Sequence, residues 1–423
     1  MSIFLEKKGV KINKKVLVSC FFAGCLEMYD FTVFGLLTPI LHKNYLSFVE
    51  ERDAIIIAYA LFAVGFIFRP LGSLIFGYIG DVYGRKTALV ASVSFMGFAS
   101  LAMFLLPTYQ AIGIISCYII AAVRITQGVS VGGEFTGAII YAVECLDRKK
   151  AGFVGSFIVG GCLSGILLAT VVSGLVKNNE MFENGWRFAF LLGFLLSIIG
   201  FFIRKKLSET PEFEVIRYKR SKLPLIAGLK KFKLESLTVI MIGATTGINI
   251  YYVIVYLPNY LSNVFKYNFS YLPVVTTLML AVFSPIFGWY SDRTNRGMLI
   301  TIGAILTAIY SFVMLPVILH LPLIWIISCA FMLHGLIFAI QDGTINVFAI
   351  EIFPVECRFS CAAFCYSIGM GIVGGTSPMV ASIIMEYGYY PVALIGLYVA
   401  SISLSTGILV YIINKKKRKS QAK

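Results

Sequence analysis

Charged residues are scarce in this chain of 423 residues: Asp, Glu, Lys and Arg together make up 13%, against 58% hydrophobic residues and a mean hydropathy of +0.86. A soluble domain carries about a quarter charged residues, so an ordinary water-facing surface is excluded. Polar stretches long enough to fold as a soluble catalytic or signalling domain are missing, and no nucleophile sits in a pattern with a base. There is no Walker sequence, hence no ATP motor within the chain. The nine cysteines, at 20, 25, 117, 145, 162, 329, 357, 361 and 365, contain no C-x-x-C pair, and only three histidines are present. The loop-borne Cys and His pairs of a zinc site are therefore lacking. Cys357, Cys361 and Cys365 share a helix face but read as buried apolar thiols. Neither an enzyme, a cofactor nor a metal centre is expected. Gly369-Met-Gly371-Ile-Val-Gly374 matches G-x-G-x-x-G, yet it lies inside an apolar run with no preceding strand, so it reads as helix packing, not a nucleotide site.

Long apolar runs are what the chain has. About 20 such residues cross a hydrocarbon core of about 30 Å, because every backbone polar group must find its partner within the helix. Twelve runs qualify, at 17–41, 54–78, 88–107, 112–144, 152–176, 187–203, 236–264, 271–291, 298–319, 322–350, 359–386 and 390–414. The first carries Glu27 and Asp30 and reads as a retained helix, since a signal peptide offers an apolar core of only about 7–15 residues. The expected class is an all-α membrane protein of twelve transmembrane helices.

A net charge of +15 invites a nucleic-acid reading until the bases are placed. Of the 36 Lys and Arg, 29 fall in segments on one side of this topology, five on the other, and Arg69 and Arg124 lie within spans. That asymmetry predicts both termini in the cytoplasm of a plasma membrane, the inner membrane in a bacterium. The basic tracts read as topology anchors on the lipid bilayer, with no nucleic acid and no obligate protein partner expected.

The segment 204–235, rich in Lys and Arg and broken by Pro211 and Pro224, divides the chain into a six-helix half at 1–203 and another at 236–414, with a basic tail at 415–423. Gly77-Tyr-Ile-Gly-Asp81-Val-Tyr-Gly-Arg85 and Gly288-Trp-Tyr-Ser-Asp292-Arg-Thr-Asn-Arg296 both read G-x-x-x-D-x-x-x-R, between spans two and three and between spans eight and nine. Spans four and ten each end in an acid followed by a base, Glu144 with Arg148 and Glu351 with Arg358. Repeats of this kind let a transporter place its site between two halves that rock against each other.

The loop at 77–86 resembles the signature of the major facilitator superfamily. Leu26-Glu-Met-Tyr-Asp-Phe31, Arg124-Ile-Thr-Gln-Gly128 with Gly132-Gly-Glu134, Gly185-Trp-Arg-Phe-Ala-Phe-Leu-Leu-Gly193, Glu209-Thr-Pro-Glu-Phe213 and Phe353-Pro-Val-Glu-Cys-Arg358 resemble its metabolite:proton symporters, which include proline/betaine, alpha-ketoglutarate and citrate carriers. Met28 stands where that family usually has Trp, and Asn295 where the second loop usually has Gly. The chain stops shortly after Lys419, without the coiled-coil extension of some osmosensing betaine carriers.

Depth places the chemistry. Asp30 lies about 20 Å into span one and Arg124 about 18 Å into span four from the other side, so the two are expected at similar depth, able to pair. Asp30 is expected to bind the coupled proton, with Glu27 one turn away as a relay, and Arg124 to alternate between Asp30 and an anionic substrate group. The resemblance implies the same roles. Gln127, Tyr29 and, on span seven, Asn249, Tyr252 and Tyr256 are candidate substrate contacts. Asp81, Arg85, Glu144 and Arg148 are expected to latch one face of the first half, with Asp292, Arg296, Glu351 and Arg358 doing so in the second. Glu134 is a possible gate contact. His334, Gln341 and Asp342 are further interior polar groups. Arg124 is read as the only deep base near the cavity, so a dicarboxylate would lack a second one. The expected function is proton-coupled symport of a small carboxylate-bearing or zwitterionic metabolite of proline/betaine type. The alternatives are an oxo- or dicarboxylate symporter, or an uncoupled uniporter or exchanger.

Overall fold

The computed structural model describes residues 14–46, 48, 61, 64–145, 148–178, 184–216, 224–267, 269, 271–387 and 389–421. The spans are α1 (Lys14–Tyr45), α2 (Arg69–Val82), α3 (Arg85–Leu105), α4 (Ile115–Cys145), α5 (Ala151–Asn178), α6 (Trp186–Lys205), α7, α8 (Leu272–Ser291), α9 (Arg296–His320), α10 (Ile324–Glu351), α11 and α12 (Pro391–Gln421). Span α7 runs as Lys233–Ile248, a π-helical stretch Asn249–Tyr256, then Leu257–Phe265. Span α11 runs as Arg358–Ser367, a π-helical stretch Ile368–Gly374, then Gly375–Tyr387. Among the described residues eleven helices are long and apolar enough to cross a membrane. Helix α2 is the described part of the twelfth, most of the outer portion of the expected run 54–78 lying outside the described residues. The chain is an all-α multi-pass membrane protein.

Three apolar clusters organise the bundle. One lies within the first six spans around Tyr29, Phe34, Trp186 and Phe190, one within the last six around Tyr252, Leu261, Phe331 and Ile395, and the largest between them, including Phe135, Phe353, Phe359 and Tyr366. The two sets of spans meet along α2 against α11 and along α5 against α8. Both seams depend on absent side chains. A Cβ on Gly77 would come within 2.9 Å of the Ser360 backbone, and one on Gly288 would collide with Gly152 and Ser156 of α5. Small residues give this close approach where lipid supplies no hydrophobic drive for helices to associate.

Two short helices, Pro211–Ile216 and Pro224–Lys231, follow α6. Gly228 of the second packs against Cys357 and Cys361, whose thiols thus seat this segment on the start of α11. The end of the molecule bearing these segments, the Arg148–Lys150 turn and both ends of the described chain is called the basic end below.

Candidate functional site

Helix α1 carries Glu27 and Phe31 on one stripe, since four residues turn the helix by about 400° and return the side chain to nearly the same direction. Glu27 faces α2, where Arg69 Nη2 donates to its Oε1 at 3.1 Å with both side chains buried. Arg69 Nη1 also reaches the Tyr251 hydroxyl of α7 at 3.5 Å, which joins the first six spans to the last six. The guanidinium lies 5.9 Å from the Phe31 ring and 6.0 Å from Phe66, and Phe66 meets Tyr251 edge-on at 4.7 Å. Glu27 Oε2 and Arg69 Nε have no hydrogen-bond partner among the described residues. A buried charge pair with unused capacity on both sides is costly to maintain, and it is ready to accept another polar group.

Arg124 lies on the side of Phe31 away from the basic end. Its guanidinium stacks 4.5 Å from Phe31 and 4.1 Å from Phe34, Nη1 donates to Gln127 Oε1 at 2.8 Å, and Nε donates to the Leu61 carbonyl at 3.4 Å. Two guanidiniums therefore flank one phenyl ring, so the expectation of a single deep base is corrected. The expected contact of Arg124 with Asp30 is also not formed. Three residues turn a helix by about 300°, which swings Asp30 about 60° off the Glu27 direction. Its carboxylate packs on Gly193 of α6, close to Ser100 of α3, with no basic partner among the described residues. Tyr29 likewise faces α6, its hydroxyl donating to the Ala189 carbonyl at 2.8 Å, rather than offering an aromatic wall to substrate.

On α7 the π-helical stretch alters which residues look inward. A π-turn takes more residues than the 3.6 of an α-turn, so Asn249, Tyr252 and Tyr256 do not form the single inward stripe expected of them. Tyr251 reaches Arg69, whereas Tyr252 is buried within the last six spans and stacks at 6.0 Å on Tyr256, which stacks at 6.0 Å on Tyr260. Asn249 donates to the Thr245 carbonyl at 2.8 Å and keeps its Oδ1 unpartnered. Neither Arg69 nor Tyr251 is singled out by sequence reasoning. Arg69, an Arg inside an apolar run, was a visible signal; Tyr251 had none.

Across the seam stands Asp342 of α10, buried, its Oδ2 accepting from the Ser284 hydroxyl of α8 at 2.9 Å. Gly343 beside it packs on the Ser284 and Gly288 backbone of α8, Val347 further along α10 packs on Gly155 of α5, and Tyr366 of α11 meets the Phe135 ring of α4 at 5.7 Å. Asp342 thus stands on a helix of the last six spans that packs on α5 of the first six.

At the basic end the two motif loops form reciprocal caps. Asp81 is paired with Arg85 and accepts from the Ser360 amide at 2.8 Å, in the first turn of α11. Asp292 is held by Arg296 at 2.6 Å and accepts from the Gly152 and Phe153 amides at 2.7 and 3.0 Å, in the first turn of α5. Each acid sits where orphan N–H groups and the helix dipole favour negative charge. Arg85 also reaches Glu144 at 3.4 Å and the Val355 carbonyl at 3.0 Å, and Arg296 pairs with Glu351. Arg358 does not stay with Glu351 as expected: it crosses the seam to Glu144 at 3.1 Å and Glu212 at 2.8 Å. Arg148 lies in the Arg148–Lys150 turn, and its side chain falls outside the described residues.

Glu209 accepts from the Arg85, Lys86 and Thr210 amides at 3.1, 3.2 and 2.8 Å, beside Gly84, whose φ of 125° disfavours any side chain. Burial pushes the Glu209 carboxyl above the usual carboxylate range despite these donors. Glu134 meets Arg204 at 2.5 Å inside the first six spans, so in this conformation it ties α4 to α6 and does not gate the seam. Arg204, read from the sequence as a linker base, is a buried residue of the last turn of α6.

Comparison with known proteins bears on this geometry. The family model described as Major Facilitator Superfamily matches residues 20–364. A Staphylococcus aureus (strain MSSA476) protein with a provisional proline/betaine transporter name is 29% identical over 383 residues, 88% of this chain and 82% of that one. The proline/betaine transporter of Escherichia coli (strain K12) is 28% identical over 394 residues, 88% and 78% of the two chains. Among solved structures, the proton:xylose symporter XylE bound to 6-bromo-6-deoxy-D-glucose superposes with a TM-score of 0.77 at 17% identity over 95% of both chains. The inward-open form of XylE from E. coli gives 0.68 at 16% identity, over 94% of this chain and 95% of that one.

Proposed function

This chain belongs to the major facilitator superfamily and is a membrane transporter, and we propose that it couples entry of a small carboxylate-bearing metabolite, of proline/betaine type, to a proton. The observation that carries this reading is the buried Glu27–Arg69 pair with its link to Tyr251 across the seam. A substrate carboxylate arriving at Arg69 competes with Glu27 for one guanidinium. A displaced Glu27 has no other base in contact, and an unpaired charge at this depth costs between about 2.5 and over 10 kcal/mol. Taking up a proton relieves that cost, so carboxylate and proton bind together and leave together. Arg124 with Gln127 guides the carboxylate inward past Phe31, and Asp30, which has no basic partner, serves as a neighbouring proton holder. The names of the relatives support the substrate class.

With the basic end cytoplasmic, as the charge asymmetry predicts, the reciprocal caps close the inner face and hold an outward-facing or occluded state. Proton and substrate loading would then favour their release, since the substrate bridges the seam from the other side.

Proteoliposomes supply the test. Addition of glycine betaine or proline outside should alkalinise the external medium in step with uptake of the labelled solute. Uptake without alkalinisation would refute proton coupling in favour of uniport or exchange. The second guanidinium keeps an oxo- or dicarboxylate as a second reading, and strong competition by alpha-ketoglutarate with none by proline or betaine would establish it.

A further inference from the structure

We propose that Asp342 is the counter-charge for a cationic nitrogen of the substrate, so that the central site selects zwitterions over plain carboxylates. This rests on the transport reading above and specifies what the last six spans contribute to it.

Asp342 is buried, with 4% of its surface accessible. One oxygen takes the Ser284 hydroxyl, and no base among the described residues touches the carboxylate. Asn346, one turn along α10, donates to the Asp342 backbone carbonyl at 3.3 Å and leaves its own Oδ1 without a partner, although the residue is 5% accessible. Every other acid buried at the seams or caps has a cation or a set of amides: Glu27 has Arg69, Glu134 has Arg204, Glu144 has Arg85 and Arg358, and Asp81 has Arg85. Asp30 lacks one too, but it is packed against Gly193 inside the first six spans, away from the seam. Among the described residues, Asp342 alone combines a missing cation with a place on a helix that packs across the seam, Val347 further along α10 lying on Gly155 of α5.

The buried charges on the two sides of the seam have the layout of a dipole. Arg69, the cationic pole, belongs to the first six spans; Asp342, the anionic pole, belongs to the last six; Tyr366 of the last six meets Phe135 of the first six at 5.7 Å. Tyr366 is level with Arg69, since Ser367 beside it donates to the Gly132 carbonyl at 3.3 Å, and a Cβ on Gly132 would strike the Arg69 carbonyl. A quaternary ammonium has no N–H to donate and is held by a diffuse negative field and by aromatic faces, which Asp342, Tyr366 and Tyr251 together supply. A zwitterion spanning these poles would tie the two sets of spans to each other through its own charges.

The test compares glycine betaine with 3,3-dimethylbutyrate, its isostere with carbon in place of nitrogen, by displacement of labelled betaine from purified protein in nanodiscs. The native protein should prefer betaine, and Asp342→Asn should reduce that preference by about tenfold or more, as for loss of a desolvated charge partner. Asp342→Glu should keep part of it. A ratio within one preparation is insensitive to how much protein folds, and the Glu variant guards against loss of the Asn variant. An unchanged ratio, or equal weakening of both ligands, would overturn the assignment. So would an altered proton-to-solute ratio with the preference intact, which would make Asp342 a proton site. A native protein that binds neither ligand would instead bring down the proline/betaine-type substrate reading, before any substitution is made.

Discussion

Glu27 of α1 and Arg69 of α2 meet at 3.1 Å, and the same guanidinium reaches Tyr251 of α7 at 3.5 Å. One base thus answers both to an acid of its own half and to a hydroxyl of the other. If proton and substrate exchange on that base, the two acids of α1 should differ in their effects.

Glu27→Gln should abolish accumulation driven by a pH gradient while leaving solute exchange, because an amide cannot titrate and competes weakly for Arg69. Substrate affinity should also lose its dependence on pH. Asp30→Asn should do less, since Asp30 faces Gly193 and no base. Counterflow and gradient-driven uptake measured side by side decide the matter; equal loss of both modes in Glu27→Gln would indicate a packing role.

Arg124→Lys keeps the charge but gives up the planar stack on Phe31 and Phe34 and the bidentate geometry for a carboxylate. Binding of the transported solute should weaken about tenfold, measured by displacement, with little change in the melting temperature. Arg69→Ala is a different case: it strands Glu27 and should cost about 3–5 kcal/mol of stability, seen as poor yield.

Removal of Arg85 strands Asp81 at the basic end and leaves Glu144 with Arg358 as its one guanidinium partner among the described residues. A loss of about 3–5 kcal/mol from that state would move the balance toward opening there by a hundredfold or more. A single cysteine placed on the cavity wall near the basic end, with the nine native cysteines replaced, should label faster in Arg85→Ala and in Asp81→Ala. Unchanged labelling would argue against a latch.

Glu209 gives a pH signature. Its carboxyl is raised by burial, so the native state favours the protonated form, and its contribution to stability is present at low pH and lost as pH rises through the raised value. Glu209→Gln keeps an acceptor for the Arg85 and Thr210 amides and should melt higher than the native protein above neutral pH. The difference should vanish below the ordinary carboxylate range.

The spans and the cap residues Asp81, Arg85, Asp292 and Arg296 were legible because each depends on local spacing. An acid and a base four apart at a helix end meet whatever surrounds them. The centre was less legible for three physical reasons. Asp30 and Arg124 were judged by depth, and depth does not fix the angle about the helix axis, which sends Asp30 to α6. The π-helical stretch of α7 alters the period on which Tyr252 was chosen, so its neighbour Tyr251 reaches the site instead. Glu27 with Arg69, and Glu134 with Arg204, are pairs between helices far apart in the sequence, and no motif states the relative heights at which those helices pack.

The reciprocal caps have a consequence for ancestry. Asp81 of the first half closes the start of α11, and Asp292 of the second closes the start of α5, so each half finishes a helix belonging to the other. This is the isologous contact that a two-fold homodimer makes twice with one surface. A lone six-helix ancestor could have formed both caps with a second copy of itself, and joining the genes would have preserved them while freeing Arg358 and Glu144, Asp342 and Arg69 to diverge into a front and a back.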